Sequence, residues 1–277
     1  MPLARTADLV ASAYRAGTGL AAFNVITLES AEAIVAGAEK ADRPVILQIS
    51  ENAVKFHHGR LAPIAAATTA VAAAAAIPVS VHLDHVEDEQ LLRASVENGL
   101  SSAMFDASKL DYDANVAATK AAAEWAHRHG MFLEAELGEV GGKDGAHAPG
   151  VRTDPAEAAA FVAATGVDAL AVAVGSSHAM SERTASLDFD VIARLRSAVP
   201  VPLVLHGSSG VADDELRKAV TAGITKINIG TLLNVHFTGA VRAHLGSDDA
   251  VTDPRKYLAP ARTAVADAVG ALLGVIH

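Results

Sequence analysis

The sequence predicts a closed parallel (β/α)8 barrel of the TIM type, and three observations carry that prediction. Eight short apolar runs alternate with segments of helical periodicity along 277 residues. Such alternation, with nearly continuous apolar strands, calls for a parallel sheet covered by helices. Eight units in a chain not far above the typical barrel length of about 250 residues favour closure over an open sheet. The chemically distinctive polar residues also fall at the C-terminal ends of the apolar runs, the end at which barrels carry their sites.

The elements follow in order. The opening "MPLARTADLVASAYRAG" reads as an amphipathic helix with Thr6 as a candidate cap; it lacks the apolar core and cleavage site of a signal peptide. The strand candidates are "AAFNV" (21–25), "PVILQIS" (44–50), "PVSVHLD" (78–84), "SAMFDA" (102–107), "MFLEAEL" (131–137), "DALAVAV" (168–174), "PLVLHG" (202–207) and "KINIG" (226–230). Helical segments lie between them, several ending near Gly99, Gly130, Gly166 or Gly223, as helix C-termini often do. "LAPIAAATTAVAAAAAI" reads as a buried helix, because Ala is the best helix former and the small, Thr-interrupted run suits a membrane poorly. No other stretch is expected to span a membrane. Residues 231–277 should form extra C-terminal helices packed on the barrel or on a second subunit. No linker or composition shift divides the chain, so a single domain is expected over 1–277.

Composition narrows the function. The net charge of −10 argues against non-specific nucleic-acid binding. The chain has no cysteine, which excludes disulfides, thiolate metal ligands and a cysteine nucleophile, and fits a cytoplasmic protein.

The segment "VHLDHVEDE" (81–89) places His82, Asp84 and His85 where a strand should end. Most of the 12 histidines have ordinary positions, such as His127 and His129 at a helix C-terminus. His85, His178 and His206 differ, each falling just after a separate strand. Three neutral imidazoles with one open position form the ligand set of a catalytic zinc. His82 alternates with Asp84 and is expected to support the ligands from behind. "HGSSG" (206–210) and "NIGT" (228–231) follow the seventh and eighth strands, where barrels commonly bind phosphate. The irregular stretch 136–155 is expected to be a lid hinged on Gly141, Gly142 and Gly145.

Together "AAFNV", "VHLDH", "MFDAS", "EAELGEVGG", "TGVDALAVAVGSSH", "PLVLHGSSG", "TKINIGT" and "DPRKYL" resemble the class II, zinc-dependent ketose-bisphosphate aldolases, in register from about residue 20 to residue 262. The resemblance implies one catalytic zinc per subunit on His85, His178 and His206, with Glu136 as an alternative metal position. It implies that Asp84 exchanges a proton with the C4 hydroxyl of a phosphorylated ketose. Asn24, Ala179, Gly207, Ser208, Ser209, Asn228, Ile229, Gly230 and Thr231 correspond to residues that hold the dihydroxyacetone phosphate part. Arg255 matches an arginine that some members extend into a neighbouring subunit's site. A monovalent cation and a homodimer or homotetramer are further family properties; nucleic acid and membrane are not.

The sequence departs from the family at Ala179, where Gly is usual. In the lid, Asp144 stands in place of the family's glutamate, with Glu139 in reserve. Gly230 stands at the position that separates fructose from tagatose enzymes. Fructose 1,6-bisphosphate is the expected substrate; the alternatives are tagatose bisphosphate, an inositol-pathway substrate, or a non-catalytic sugar-phosphate-binding barrel. A Schiff-base aldolase is disfavoured, because Lys226 is expected to begin its strand, at the wrong end of the barrel.

Overall fold

A computed structural model of the chain describes residues 3–138, 152–176 and 182–276. The eight expected strands are all present: β1 (Leu20–Asn24), β2 (Val45–Ser50), β3 (Val79–Val86), β4 (Ser102–Phe105), β5 (Phe132–Glu136), β6 (Ala169–Ala171), β7 (Leu203–Leu205) and β8 (Ile224–Ile229). They pair in parallel, each with the next, and β1 pairs with β8, so the barrel closes in sequence order. Helices cover it: α1 (Thr6–Ala16), α2 (Leu28–Ala41), α3 (Glu51–Phe56), α4 (Leu61–Ala74), α5 (Glu89–Glu97), α6 (Tyr112–Arg128), α7 (Pro155–Thr165), α8 (Phe189–Ala198), α9 (Asp213–Ala222), α10 (Thr231–Ser247) and α11 (Pro254–Ile276).

Strand side chains alternate between two environments. Phe23, Leu47, Leu83, Leu133, Leu170 and Ile227 face the helices in one large core. Leu20, Ala22, Ile46, Met104, Phe132 and Val204 form a second core inside the barrel, which Val10 and Ala13 of α1 help to fill. Thr6 does not cap this helix. Arg5 holds the N-cap position, and the Thr6 hydroxyl points instead to Ser80 and Ser102.

The stretch 231–276 forms two helices, as expected. Helix α11 packs against α2 and α9 and takes the eighth place in the helical ring, so the additional helix is α10, of which only Leu233 is buried. By length and composition α11 is also the one helix among the described residues that could cross a membrane, which the sequence reading passed over. Its apolar face, with Val265, Val269, Leu272 and Leu273, is buried in the protein core. Helix α4 buries one face rather than its whole surface.

The α2–α11 contact depends on Gly37. A Cβ there would sit 2.4 Å from the Ala266 carbonyl oxygen and 2.8 Å from Val269 Cβ. We expect Gly37→Ala to force the helices apart and cost about 1–3 kcal/mol, the range for overpacking a tight contact, measured as a lowered denaturant midpoint. An unchanged midpoint would show that the contact is loose.

Candidate metal and proton-transfer site at the barrel mouth

Strand alternation alone would send Asp84 and His85 to opposite faces. Strand β3 runs through both and on to Val86, so His85 lies within the strand rather than after it. The pairing with β4 shifts register between Leu83 and Val86, and His85 adopts a left-handed backbone with φ of 50°. A β-bulge of this kind re-aims a side chain, and a positive φ at a non-glycine residue is strain typical of functional sites. The distortion lets two consecutive residues serve one mouth.

His85 Nε2 faces His206 Nδ1 at 3.0 Å. Two nitrogens sharing a tetrahedral zinc at about 2.0–2.1 Å each would lie about 3.3 Å apart, so the observed spacing fits a shared metal. Donor atoms of Asp84, His85 and His206 all lie within 4.8 Å of one another, and so do those of His85, Asp106 and Glu136. Each imidazole is oriented on its other nitrogen. Asp106 Oδ2 is 2.9 Å from His85 Nδ1, and Glu134 Oε1 is 2.9 Å from His206 Nε2. Such carboxylate–imidazole pairs fix the tautomer and the ring direction of metal ligands.

The mouth is also rich in carboxylates. Asp84, Asp106, Glu134 and Glu136 crowd the mouth and the layer below it, while Lys226, buried like Glu134, supplies one positive charge. Burial pulls the His85 pKa down, but Asp84, Asp106 and Glu136 outweigh it and raise it to about 10. Burial pushes Asp106 up, yet the hydrogen bond from His85 prevails and holds it well below the usual carboxylate range. Asp84 is raised by burial, against the opposing pull of His85 and Lys226. A divalent ion among these donors would answer the excess negative charge.

Asp84 is held by amides: Gln48 Nε2 donates to Oδ2 and Asn228 Nδ2 to Oδ1, both at 3.3 Å. Gln48 Nε2 also donates to Asn24 Oδ1. Asn24 lies over Gly230, where a Cβ would come within 2.7 Å of its Nδ2, so the missing side chain makes room for the amide. Gly207 takes a left-handed conformation, φ 65°, and opens the 3-10 turn Ser208–Gly210. Ser208 Oγ donates to the Asn228 carbonyl, and Ser209 Oγ accepts from the Leu232 amide 3.1 Å away. The two glycine-rich segments are thereby laced together beside Ile229, Gly230 and Thr231, where α10 begins.

Not every expected residue joins this cluster. Asp144 and Glu139 of the expected lid, the glycines expected to hinge it, and His178 and Ala179 lie outside the described residues. Arg255 is 88% exposed, is held by both oxygens of Asp253, and makes no hydrogen bond or ion pair with the described site residues.

Three participants went unassigned in the sequence. Asp106 stood at a strand end without a role. Glu134 precedes Glu136 by two residues in "FLEAEL", a spacing that puts both on the inner face of β5 and that alone could have revealed it. Lys226 corrects the expectation most plainly. Strand β8 begins two residues earlier, at Ile224, so Lys226 lies inside the barrel, with Nζ 2.7 Å from Glu134 Oε2.

These supports give a prediction. Asp106→Asn and Glu134→Gln should each weaken metal affinity by about 10–100-fold, the usual effect of removing a ligand's hydrogen-bonded partner, read by competition with a chromophoric chelator. Wild-type affinity in both would mean that the carboxylates do not orient the imidazoles.

A parallel eight-stranded barrel with converging imidazoles and carboxylates at its C-terminal mouth is the arrangement of a barrel enzyme with a candidate metal site. The comparisons make this specific. The family described as "Fructose-bisphosphate aldolase class-II" matches residues 4–277. A fructose-bisphosphate aldolase of Staphylococcus aureus (strain Mu50 / ATCC 700699) is 36% identical over 272 residues, covering 97% of this chain and 95% of the relative. The crystal structure of the YdjI aldolase from Escherichia coli K12 is similar at 30% identity, with a TM-score of 0.84 over 99% of this chain and 98% of that one. Fructose-bisphosphate aldolase (Fba) from Campylobacter jejuni, at 22% identity and a TM-score of 0.84 over 99% of this chain and 95% of that one, shares the fold.

The chain belongs to the class II fructose-bisphosphate aldolase family. It is thus an aldolase-type lyase of carbohydrate metabolism, from a family that acts on phosphorylated sugars and implies a divalent metal.

Proposed function

We propose that this protein is a zinc-dependent aldolase that reversibly cleaves fructose 1,6-bisphosphate to dihydroxyacetone phosphate and glyceraldehyde 3-phosphate. The observation that carries the reading is the meeting of His85 Nε2 and His206 Nδ1, 3.0 Å apart and beside Asp84. His85 and His206, with His178 as the third imidazole, would hold the ion, and Glu136 offers it an oxygen ligand. When bound, zinc supplies Lewis-acid polarisation of the ketose carbonyl, stabilising the negative charge left when the C3–C4 bond breaks.

The remaining work falls to the chain's own residues. Asp84 takes the proton of the C4 hydroxyl during cleavage and returns it during condensation. Gln48 and Asn228, donating to its two oxygens, keep the carboxyl turned to the mouth. The segments 207–209 and 228–231 bind the phosphate of the triose half, with Asn24 above Gly230; Ala179 is assigned to the same task. Asp144 exchanges the triose C3 proton, and Arg255 meets the second phosphate in a neighbouring subunit's site.

Lys226 does not fit a Schiff-base route, because it is fully buried and paired with Glu134. The test is turnover of a panel of ketose bisphosphates, with borohydride added during reaction. Cleavage of fructose 1,6-bisphosphate without a trapped adduct supports the proposal. A stable lysine adduct, or preference for another ketose, would overturn the mechanism or the substrate respectively.

A further inference from the structure

Beneath Asp84 the barrel interior carries a polar file that the reaction as described does not use. Ser80, His82 and Asp84 alternate along the inner face of β3. All three are buried, as are Ser102 at the start of β4 and Thr6 at the start of α1. The contacts are continuous. Thr6 Oγ1 donates to Ser80 Oγ at 3.0 Å, Ser102 Oγ donates to Thr6 Oγ1 at 2.6 Å, and His82 Nδ1 lies 2.8 Å from Ser102 Oγ. His82 Nε2 lies 3.8 Å from Asp84 Oδ1 and has no hydrogen-bond partner among the described residues.

We propose that His82 is a positioning residue for Asp84, its tautomer and height fixed by the hydroxyl chain that begins on the N-terminal helix. The inference rests on the aldolase reading above. Each hydroxyl has one proton to give. With the Ser102 proton committed to Thr6 and the Thr6 proton to Ser80, the Ser102 oxygen accepts from His82 Nδ1–H. The lone pair of Nε2 then faces Asp84. A buried, polar nitrogen left unpartnered is costly, and neighbouring inner positions, Ala22, Ile46 and Met104, show that this barrel fills space with apolar side chains where filling is all that is needed.

The arrangement gives Asp84 a floor. When Asp84 carries the proton taken from the C4 hydroxyl, its O–H can turn to Nε2 as acceptor, and the proton is held at a fixed place for return. Burial, with Lys226 nearby, keeps His82 well below the ordinary imidazole range and so neutral.

The C4 proton matters for cleavage and condensation but not for exchange of the triose C3 proton, and this separates a positioning role from a packing one. His82→Ala should lower kcat for cleavage by about 10²-fold, the scale of a misplaced catalytic group. KM, zinc content and hydrogen exchange into dihydroxyacetone phosphate should stay at wild-type levels. Thr6→Val and Ser102→Ala, the former at the far end of the barrel from the substrate, should show the same split at smaller size, and they carry the test should His82→Ala not fold. Equal loss of exchange and cleavage, or variants that alter only thermal stability, would make the file a packing element and overturn the proposal. Absence of cleavage by the wild-type protein would instead remove the aldolase reading itself.

Discussion

Replacing His85 or His206 by Ala should strip the metal and lower cleavage by about 10³-fold or more, because a bound metal contributes several kcal/mol of transition-state charge stabilisation. The two rings meet at 3.0 Å and are each braced by a carboxylate. Neither variant should unfold the barrel, since the strands' outward faces carry the main apolar core. His178→Ala should behave alike. Metal analysis, circular dichroism and steady-state cleavage together read the outcome. Full metal occupancy with normal turnover in any one variant would remove that histidine from the ligand set.

Asp84→Ala should lose about 10²–10⁴-fold in cleavage, the usual contribution of a positioned acid or base. It should keep its metal and continue to exchange the C3 proton of dihydroxyacetone phosphate. Asp144→Asn should give the reverse pattern, slowing exchange while metal content holds. Asp84 also stands among the potential donors of the cluster, so the metal content of its variant discriminates between roles. Metal lost with activity would make Asp84 a ligand first.

The barrel was legible because its strands are apolar on the helix side and bounded by turn residues. All eight fall where the pattern placed them, with ends moved by a few residues. Those ends mattered at Lys226, where a two-residue change moved a lysine from the barrel floor to its interior. The imidazoles were legible by position at strand ends. The way His85 joins Asp84 was not, because a bulge and a positive φ are set by tertiary packing rather than by local residue preference. Asp106 escaped assignment for a related reason: it becomes visible as the partner of His85 only when β3 and β4 close into one layer, whereas Glu134 could be read only from its alternation with Glu136.

The helix ring shows the same limit. Residues 231–277 were legible as helices, but which helix completes the ring depends on contacts with α2 and α9. Gly37 permits the close approach of α11, and the apolar stripe Val265, Val269, Leu272 and Leu273, which α10 lacks, is the one local signal of that choice.

In the proposed function, imidazoles at the barrel mouth hold a zinc ion on which carbon–carbon cleavage depends. The most direct measurement is metal content of the purified protein, paired with fructose 1,6-bisphosphate cleavage before and after chelation. One zinc per chain, loss of cleavage when it is removed, and recovery on adding one equivalent back are expected. Undiminished cleavage by the metal-free protein would rule out zinc dependence.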